Sequence, residues 1–502
     1  MSLTVQQHRA QVGLQDGSLF VDGQWRQARS GKTWTHLHPA TQEPVGTFPV
    51  ADAEDVDEAV RAARRAFDEG PWPNLPAGQR VKILHRYADL LRENADELRG
   101  LQALDNGVPL SFGNVYAASV DAAADVFDHH AGWIDKAGGE TLPGYQGGEH
   151  LAMTLREPIG VAAAILPWNA PFLLYAQKIA PALAAGCTVV LKPSEYATFV
   201  VLRMVELLAD AGVPDGVVNV VTGTGEPTGG ALIGHELVDK ISFTGSREVG
   251  KRIVEVSAAT LKRVSLELGG KSPAIVFPDT DASLAGMTAM GMVTLGLSGQ
   301  GCVVCSRALV HRDVYDEFLT AAEMIAGSVT YGDPFDPAVL SSPLINDKQL
   351  HRVLGFVESG KQDGARLISG GDRPDGELGA GNFVNPAIFA DVDNKMSIAQ
   401  QEIFGPVLSV VPFSDEDEAV RLANDTEYGL GAGVFTADAQ RAFRVSRRLR
   451  AGTVGINGFQ VEPHLPFGGY KQSGLGREGG RSSFESYTEV KTVLMPLTDE
   501  MM

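Results

Sequence analysis

The sequence predicts an α/β protein built on parallel sheets, and three features carry that expectation. Between Ile159 and Phe277 short apolar runs recur, each leaving room for a helix before the next. A second stretch of the same kind starts near Ser272 and continues past Gly468. Strands alternating with helices imply βαβ units and a parallel sheet. The third feature is size and balance: 502 residues, 44% apolar and 21% charged, suit a soluble globular chain of about two to four domains.

From the N-terminus, Leu19 to Trp25 predicts a hairpin, because its Asp22-Gly23 turn sits between apolar residues. Asp55 to Asp68 reads as an amphipathic helix, and helical periodicity returns through Arg80 to Leu104 and Ser111 to Ile134. These helices are expected to be covering layers. From Glu140 to Pro158 glycine-rich turns and the alternating segment His150 to Arg156 predict strands outside the main core. The first set of apolar runs is Gly160 to Leu166, Cys187 to Leu191, Val217 to Val221, Lys240 to Phe243 and Arg263 to Leu266. A nucleotide would bind at the carboxyl ends of such strands. The second set is Ala274 to Phe277, Arg307 to His311, Val407 to Val411 and Gly452 to Ile456. The tail, Phe484 to Leu497, carries β-branched residues suited to pairing with a strand edge, on a partner or on its own chain.

A formal net charge of −20 works against a nucleic-acid duplex, which draws on Lys and Arg contacts to phosphate, and against an anionic membrane surface. The N-terminus has no apolar core after its basic residue and is not expected to be a signal peptide. The longest greasy stretch, Leu284 to Leu297, is broken by threonine and glycine and is too short to cross a bilayer, so a buried helix is expected. Three cysteines are too few for a disulfide framework and point to a reducing, cytoplasmic setting. A lone C-x-x-C with no second pair and 11 scattered histidines predicts no metal site.

The motifs each have a plain alternative. Cys302 follows a glycine-rich turn, Gly299-Gln-Gly-Cys302-Val-Val-Cys305, as a nucleophile would, yet cysteine is often a small buried hydrophobe and C-x-x-C is also a redox spacing. Glu267 lies between leucines at a strand end, where burial would raise its pKa toward that of a general base; a paired structural glutamate is the alternative. Asn169, after Pro167-Trp168, ends a strand and offers an amide donor for an oxyanion, or is an ordinary turn residue. Lys192-Pro-Ser-Glu195 follows a strand as a ribose site requires, and Glu195 would repel a 2′-phosphate; otherwise it is a polar loop. Phe243-Thr-Gly245-Ser246 through Gly250 nearly spells a phosphate loop of the ATPase kind, but Arg252 stands where a hydroxyl must meet Mg²⁺. What survives is a strand, a small-residue turn and a helix N-terminus suited to a pyrophosphate. Gly223 to Gly229 does not follow G-x-G-x-x-G and by itself reads as a loop.

Taken in order, Pro167-Trp-Asn169, Lys192-Pro-Ser-Glu195, Phe243-Thr-Gly-Ser246, Glu267-Leu-Gly-Gly-Lys-Ser-Pro273, Gly299-Gln-Gly-Cys302, Glu402-Ile-Phe404-Gly-Pro-Val407 and Pro466-Phe-Gly-Gly-Tyr-Lys471 closely resemble the NAD(P)-dependent aldehyde dehydrogenase superfamily. The likeness covers nearly the whole chain. It implies a Rossmann-like dinucleotide-binding domain (residues 1–139 and 159–270), an α/β catalytic domain (271–468) and a small β oligomerisation element (140–158 and 484–502) that joins homodimers or homotetramers.

The resemblance further implies Cys302 as nucleophile, Glu267 as general base, and Asn169 with the Cys302 backbone N–H as oxyanion hole. It places NAD, with NADP as the alternative, against Trp168, Lys192, Glu195, Gly225, Gly245, Ser246, Gly250, Glu402 and Phe404. Cys302 would form a thiohemiacetal and then a thioester, which Glu267-activated water hydrolyses. An unperturbed thiol of pKa about 8.5 is only ~3% thiolate at neutral pH, so oriented N–H groups and cofactor charge are expected to lower it. Ala170, Gln177 and Gly296 stand where many relatives carry bulky aromatics, and Gln401 where a second acid is frequent. A widened tunnel for bulky or long apolar aldehydes, terpenoid, aromatic or fatty, is the expectation. The alternatives are a CoA-acylating relative, and a thiol-redox or NAD-binding protein without dehydrogenase turnover.

Overall fold

The computed structural model describes residues 4–113, 115, 118–144, 150–459 and 461–496. Among these, strands gather into sheets of eight, seven, three and two. The eight-stranded sheet runs, edge to edge, Gly474–Leu475, Arg263–Glu267, Lys240–Thr244, Val161–Ile165, Thr188–Lys192, Val218–Val220, Leu19–Val21 and Gln24–Arg26. Its middle five strands are parallel. Val161–Ile165, Thr188–Lys192 and Lys240–Thr244 are buried along their whole length. Helices cover both faces of such a sheet, which is why its strands read as unbroken apolar runs.

Strand order decides where a ligand can sit. From Val161–Ile165 the chain moves to Thr188–Lys192 on one side, and later returns to lay Lys240–Thr244 on the other. That reversal opens a crevice at the carboxyl ends of these strands, where Trp168 and Asn169 follow the first and Gly245 and Ser246 the last. The seven-stranded sheet, parallel except for Arg366–Ser369 at its edge, contains the four second-set strands of the sequence and adds Ala387–Ala390 and Gly431–Phe435.

Local chemistry explains the remaining boundaries. The hairpin turns at Asp22 (φ 53°) and Gly23 (φ 76°), the pair of positive φ values that a two-residue turn matching strand twist requires. The periodicity over Arg80 to Leu104 resolves into two helices, Ala77–Glu93 and Ala95–Asn106, interrupted where the Asn94 amide bonds back to the Leu90 carbonyl at 2.8 Å. Ser111 to Ile134 is likewise not one helix: a short turn at Leu110–Phe112 precedes Val120–Ala131, which Ser119 caps. Residues 114, 116 and 117 of that stretch lie outside the described residues. Leu284 to Leu297 is largely the helix Ala282–Thr294. No helix among the described residues is long and apolar enough to cross a membrane.

The tail settles on its own chain. Thr488–Pro496 pairs antiparallel with His150–Pro158, and Thr141–Leu142 adds a third strand. Residues 145–149 and 497–502 of the expected oligomerisation element lie outside the described residues.

Candidate active site

Cys302 sits just past the Ala282–Thr294 helix on an irregular turn through Ser298 (φ 52°) and Gly299 (φ 72°). A side chain at Gly299 would start 2.2 Å from the Gly405 carbonyl oxygen, so close approach as well as φ requires glycine there. Gln300 staples the turn: its amide nitrogen donates to the Leu297 and Pro343 carbonyls, each at 3.0 Å, and its oxygen accepts from Ile345 N at 3.0 Å.

Asn169 ends the turn before the helix Pro171–Ala185, whose first residue is proline, the position where a missing N–H costs nothing. Its Nδ2 donates to the Gln300 carbonyl at 2.9 Å. One amide proton thus orients the side chain and leaves the second free to donate. Asn169 and Cys302 share the wall of one cavity of ≈ 570 Å³. Apart from them its lining is chiefly apolar, including Phe112, Leu173, Leu174, Met292, Leu295 and Phe459.

Cys302 is half-buried, and the environment of its sulfur opposes ionisation. Burial, then the carboxylates of Glu402 and Glu267, push the thiol up to about 12, while the Cys302 and Val303 backbone N–H groups pull the other way. The expected lowering is therefore reversed in the protein alone: the oriented N–H groups are present, but desolvation and like-signed neighbours outweigh them.

Glu267 is the last residue of the Arg263–Glu267 strand and is 2% exposed. Neither carboxylate oxygen has a hydrogen-bond partner among the described residues. Burial, then Glu478, holds its carboxyl well above the usual range, against Lys178 and Arg477. Lys178 and Glu478 form a buried ion pair, and Ser242 Oγ donates to Glu478 at 2.9 Å. Sequence reasoning missed both: Lys178 lies inside a helix and Glu478 in a glycine-rich tail, and only tertiary packing brings them beside Glu267.

The remaining candidates divide between two ends of the crevice. At one, Lys192 Nζ lies 4.0 Å from Glu195 and donates to the Pro193 carbonyl at 2.9 Å. Burial lowers the Lys192 pKa and Glu195 opposes that shift. Gly225 opens a turn, Gly225–Gly229, whose last glycine faces the Lys192 side chain. Gly245 and Ser246 lead into the helix Arg247–Ser257, and Ser246 Oγ caps it by accepting from Val249 N at 3.4 Å. Gly250, one turn on, packs against Leu268. At the other end Glu402 accepts from Gly270 N at 3.2 Å, and burial raises it to about 7. Phe404, at φ 60°, meets Trp168 edge-on with ring centroids 5.6 Å apart. Gln349 holds Phe404 in that strained backbone by donating to its carbonyl at 2.7 Å.

These groups fit a nicotinamide dinucleotide. A helix N-terminus faces the crevice for the phosphates, the Lys192 and Glu195 pair suits ribose hydroxyls, and Glu402 presents an acceptor anchored on Gly270. No group of three or more His, Cys, Asp or Glu residues that could hold a metal occurs among the described residues. Cys305 is not on the cavity wall; it is 2% exposed in the core of the seven-stranded sheet, and burial pushes its thiol up to about 12.

Comparison with known proteins agrees with this reading. Residues 25–493 match the sequence profile of the Aldehyde dehydrogenase family. Aldehyde dehydrogenase 1 of Tanacetum cinerariifolium is 45% identical over 95% of each chain. The mitochondrial benzaldehyde dehydrogenase of Antirrhinum majus is 44% identical over 97% of this chain and 90% of its own. The NAD⁺ complex of an aldehyde dehydrogenase from Bacillus cereus superposes with a TM-score of 0.94 at 39% identity, covering 99% of this chain and 100% of the other. The fold and these relatives define an NAD-dependent oxidoreductase. The chain belongs to the aldehyde dehydrogenase family, and aldehyde oxidation is its reaction.

Proposed function

We propose that the enzyme oxidises a bulky or long apolar aldehyde, of the terpenoid, aromatic or fatty kind, to its carboxylic acid with NAD. The observation that carries this reading is the ≈ 570 Å³ cavity, apolar along most of its wall, to which Cys302 and Asn169 both contribute. Sites that enclose whole small ligands run to ~300–1,000 Å³.

Cys302 Sγ, as the thiolate after its proton passes to solvent, attacks the aldehyde carbon. The oxyanion that forms is held by the free Asn169 amide proton and the Cys302 backbone N–H, donors already oriented before the reaction. NAD, when bound, would supply the hydride acceptor and a positive charge. Loss of hydride from the tetrahedral carbon leaves a thioester on Cys302. Glu267, a strong carboxylate base because it is desolvated, takes a proton from the attacking water; the acid departs and Cys302 is restored. Glu195 favours NAD over NADP, since a 2′-phosphate would meet its carboxylate.

The same reading assigns residues 1–139 and 159–270 to dinucleotide binding and 271–468 to catalysis, with 140–158 and 484–502 joining copies into a homodimer or homotetramer. Exposed Leu142, Leu155, Val490 and Leu494 on the three-stranded sheet support that last assignment. Three free cysteines suit a cytoplasmic setting.

The test is NADH formation across an aldehyde panel, run in parallel with NADP and with CoA. The expected result is kcat/KM rising from acetaldehyde to octanal and cinnamaldehyde, with NAD preferred and no need for CoA. Equal or better kcat/KM for acetaldehyde defeats the substrate assignment, and CoA-dependent turnover defeats hydrolysis.

A further inference from the structure

Gln177 is a polar residue at a position built for an apolar one. Ala170, Leu173, Leu174 and Gln177 recur at the spacing of one helix face, and all four line the cavity that holds Cys302. Gln177 is 2% exposed, its Oε1 is buried without a partner, and its amide makes no hydrogen bond among the described residues. Other amides around the cavity are engaged: Asn169 bonds the Gln300 carbonyl, Gln300 uses both ends, and Asn106 bonds the Trp168 carbonyl at 2.9 Å while accepting from Val108 N at 3.3 Å. A buried amide without a partner is unfavourable unless something entering the cavity satisfies it.

We infer that Gln177 reads a hydroxyl on the substrate, an inference that rests on the apolar-aldehyde reading above and narrows it. An amide offers both a donor and an acceptor, and a hydroxyl answers both. A charged group is disfavoured, because it would lose its hydration among Leu173, Leu174 and Met292, and the one charged residue on the cavity wall among the described residues, Glu462, is exposed and could answer only a cation. Position sets the spacing. Asn169 stands at the start of the Pro171–Ala185 helix, and the rise from Pro171 to Gln177 is about 9 Å. The substrate is thus an apolar aldehyde with a hydroxyl at about that distance from its carbonyl carbon. A para-hydroxylated aryl propenal and a medium-chain ω-hydroxyalkanal both have this chemistry.

The experiment compares matched pairs on the intact enzyme with NAD: para-hydroxycinnamaldehyde against cinnamaldehyde, and ω-hydroxyheptanal against heptanal. In the wild type, kcat/KM should favour the hydroxylated member of at least one pair by about tenfold. Discrimination in the aryl pair alone assigns an aromatic substrate, and in the alkyl pair alone a fatty one; either supports the inference. Gln177→Met, close in volume, should bring that ratio to one or below, and Gln177→Leu should do the same. A wild-type ratio at or below one in both pairs overturns the inference, as does a preference that survives Gln177→Met. If cinnamaldehyde and heptanal outrun acetaldehyde while neither pair discriminates, the hydroxyl inference alone falls. If acetaldehyde matches them, the apolar-tunnel reading falls and takes this inference with it.

Discussion

Lys178 and Glu478, 300 residues apart in the chain, are joined as a buried ion pair with side-chain exposures of 0% and 3%. The pair stands behind Glu267 and acts on it with opposite signs: Glu478 raises the Glu267 pKa and Lys178 lowers it. The carboxylate proposed to activate water is therefore tuned by a helix residue and a tail residue, neither of which lines the cavity.

Glu478→Gln removes the charge that raises Glu267, so the Glu267 pKa should fall and the acidic limb of the pH profile for turnover should move to lower pH. Lys178→Met removes the opposing charge and should move that limb to higher pH. It also leaves the Glu478 carboxylate buried without its cation, a loss of about 3–5 kcal/mol that should appear in the unfolding midpoint. Steady-state kcat against pH for both variants is the measurement; limbs that move the same way in the two would refute the tuning.

Glu267→Gln keeps the shape of the side chain and removes its basicity. The first turnover, which ends at the thioester, should still give an NADH burst close to one per active site, followed by a stall. Rapid mixing with excess aldehyde reads both phases. A steady state near that of the wild type would remove Glu267 from deacylation.

Asn169→Ala deletes an oxyanion donor that the Gln300 carbonyl already holds in place. Loss of one such donor lowers turnover on the order of 10²–10³. Cys302 alkylation by iodoacetamide should continue at the wild-type rate, since Asn169 is not among the groups that set the thiol's pKa. Unchanged turnover would dismiss the oxyanion assignment.

The parallel strands were readable because burial on both faces leaves no polar alternation to obscure them, as in Val161–Ile165. Gly431–Phe435 escaped notice: in Gly-Ala-Gly-Val-Phe only Val434 is β-branched and two glycines dilute the strand pattern, yet it lies between two others in the seven-stranded sheet. The candidate nucleophile, base and oxyanion donor stood out as reactive or polar groups at turns and strand ends. Lys178 and Gln177 did not stand out from the residues alone, because a helix interior gives a polar side chain no mark that distinguishes a buried face from a wet one. The direction of the Cys302 shift was also beyond reach, since it depends first on burial and then on two carboxylates, distant in the chain, that folding brings near the sulfur.

Asp105, wholly buried at the end of the Ala95–Asn106 helix, links the active-site layer to pH through stability rather than chemistry. Its Oδ2 accepts from Val200 N at 2.9 Å, yet burial still pushes its carboxyl from 3.8 up to about 7. Between those values the folded protein holds a proton that the unfolded chain has released. Stability from this group is therefore present at low pH and is lost as pH rises through about 7, a change of about 4 kcal/mol at full amplitude. Asp105→Asn cannot ionise. Relative to wild type, the variant should gain Tm from about pH 4.5 to about pH 7 and level off above that. His36 Nε2 lies 3.8 Å from Asp105 Oδ1, but burial pulls its pKa down to about 4, so it is largely neutral over this range. A wild-type-to-variant difference in Tm that stays constant across that range would show that Asp105 is not titrating in the fold, and that its bond to Val200 holds the charged form after all.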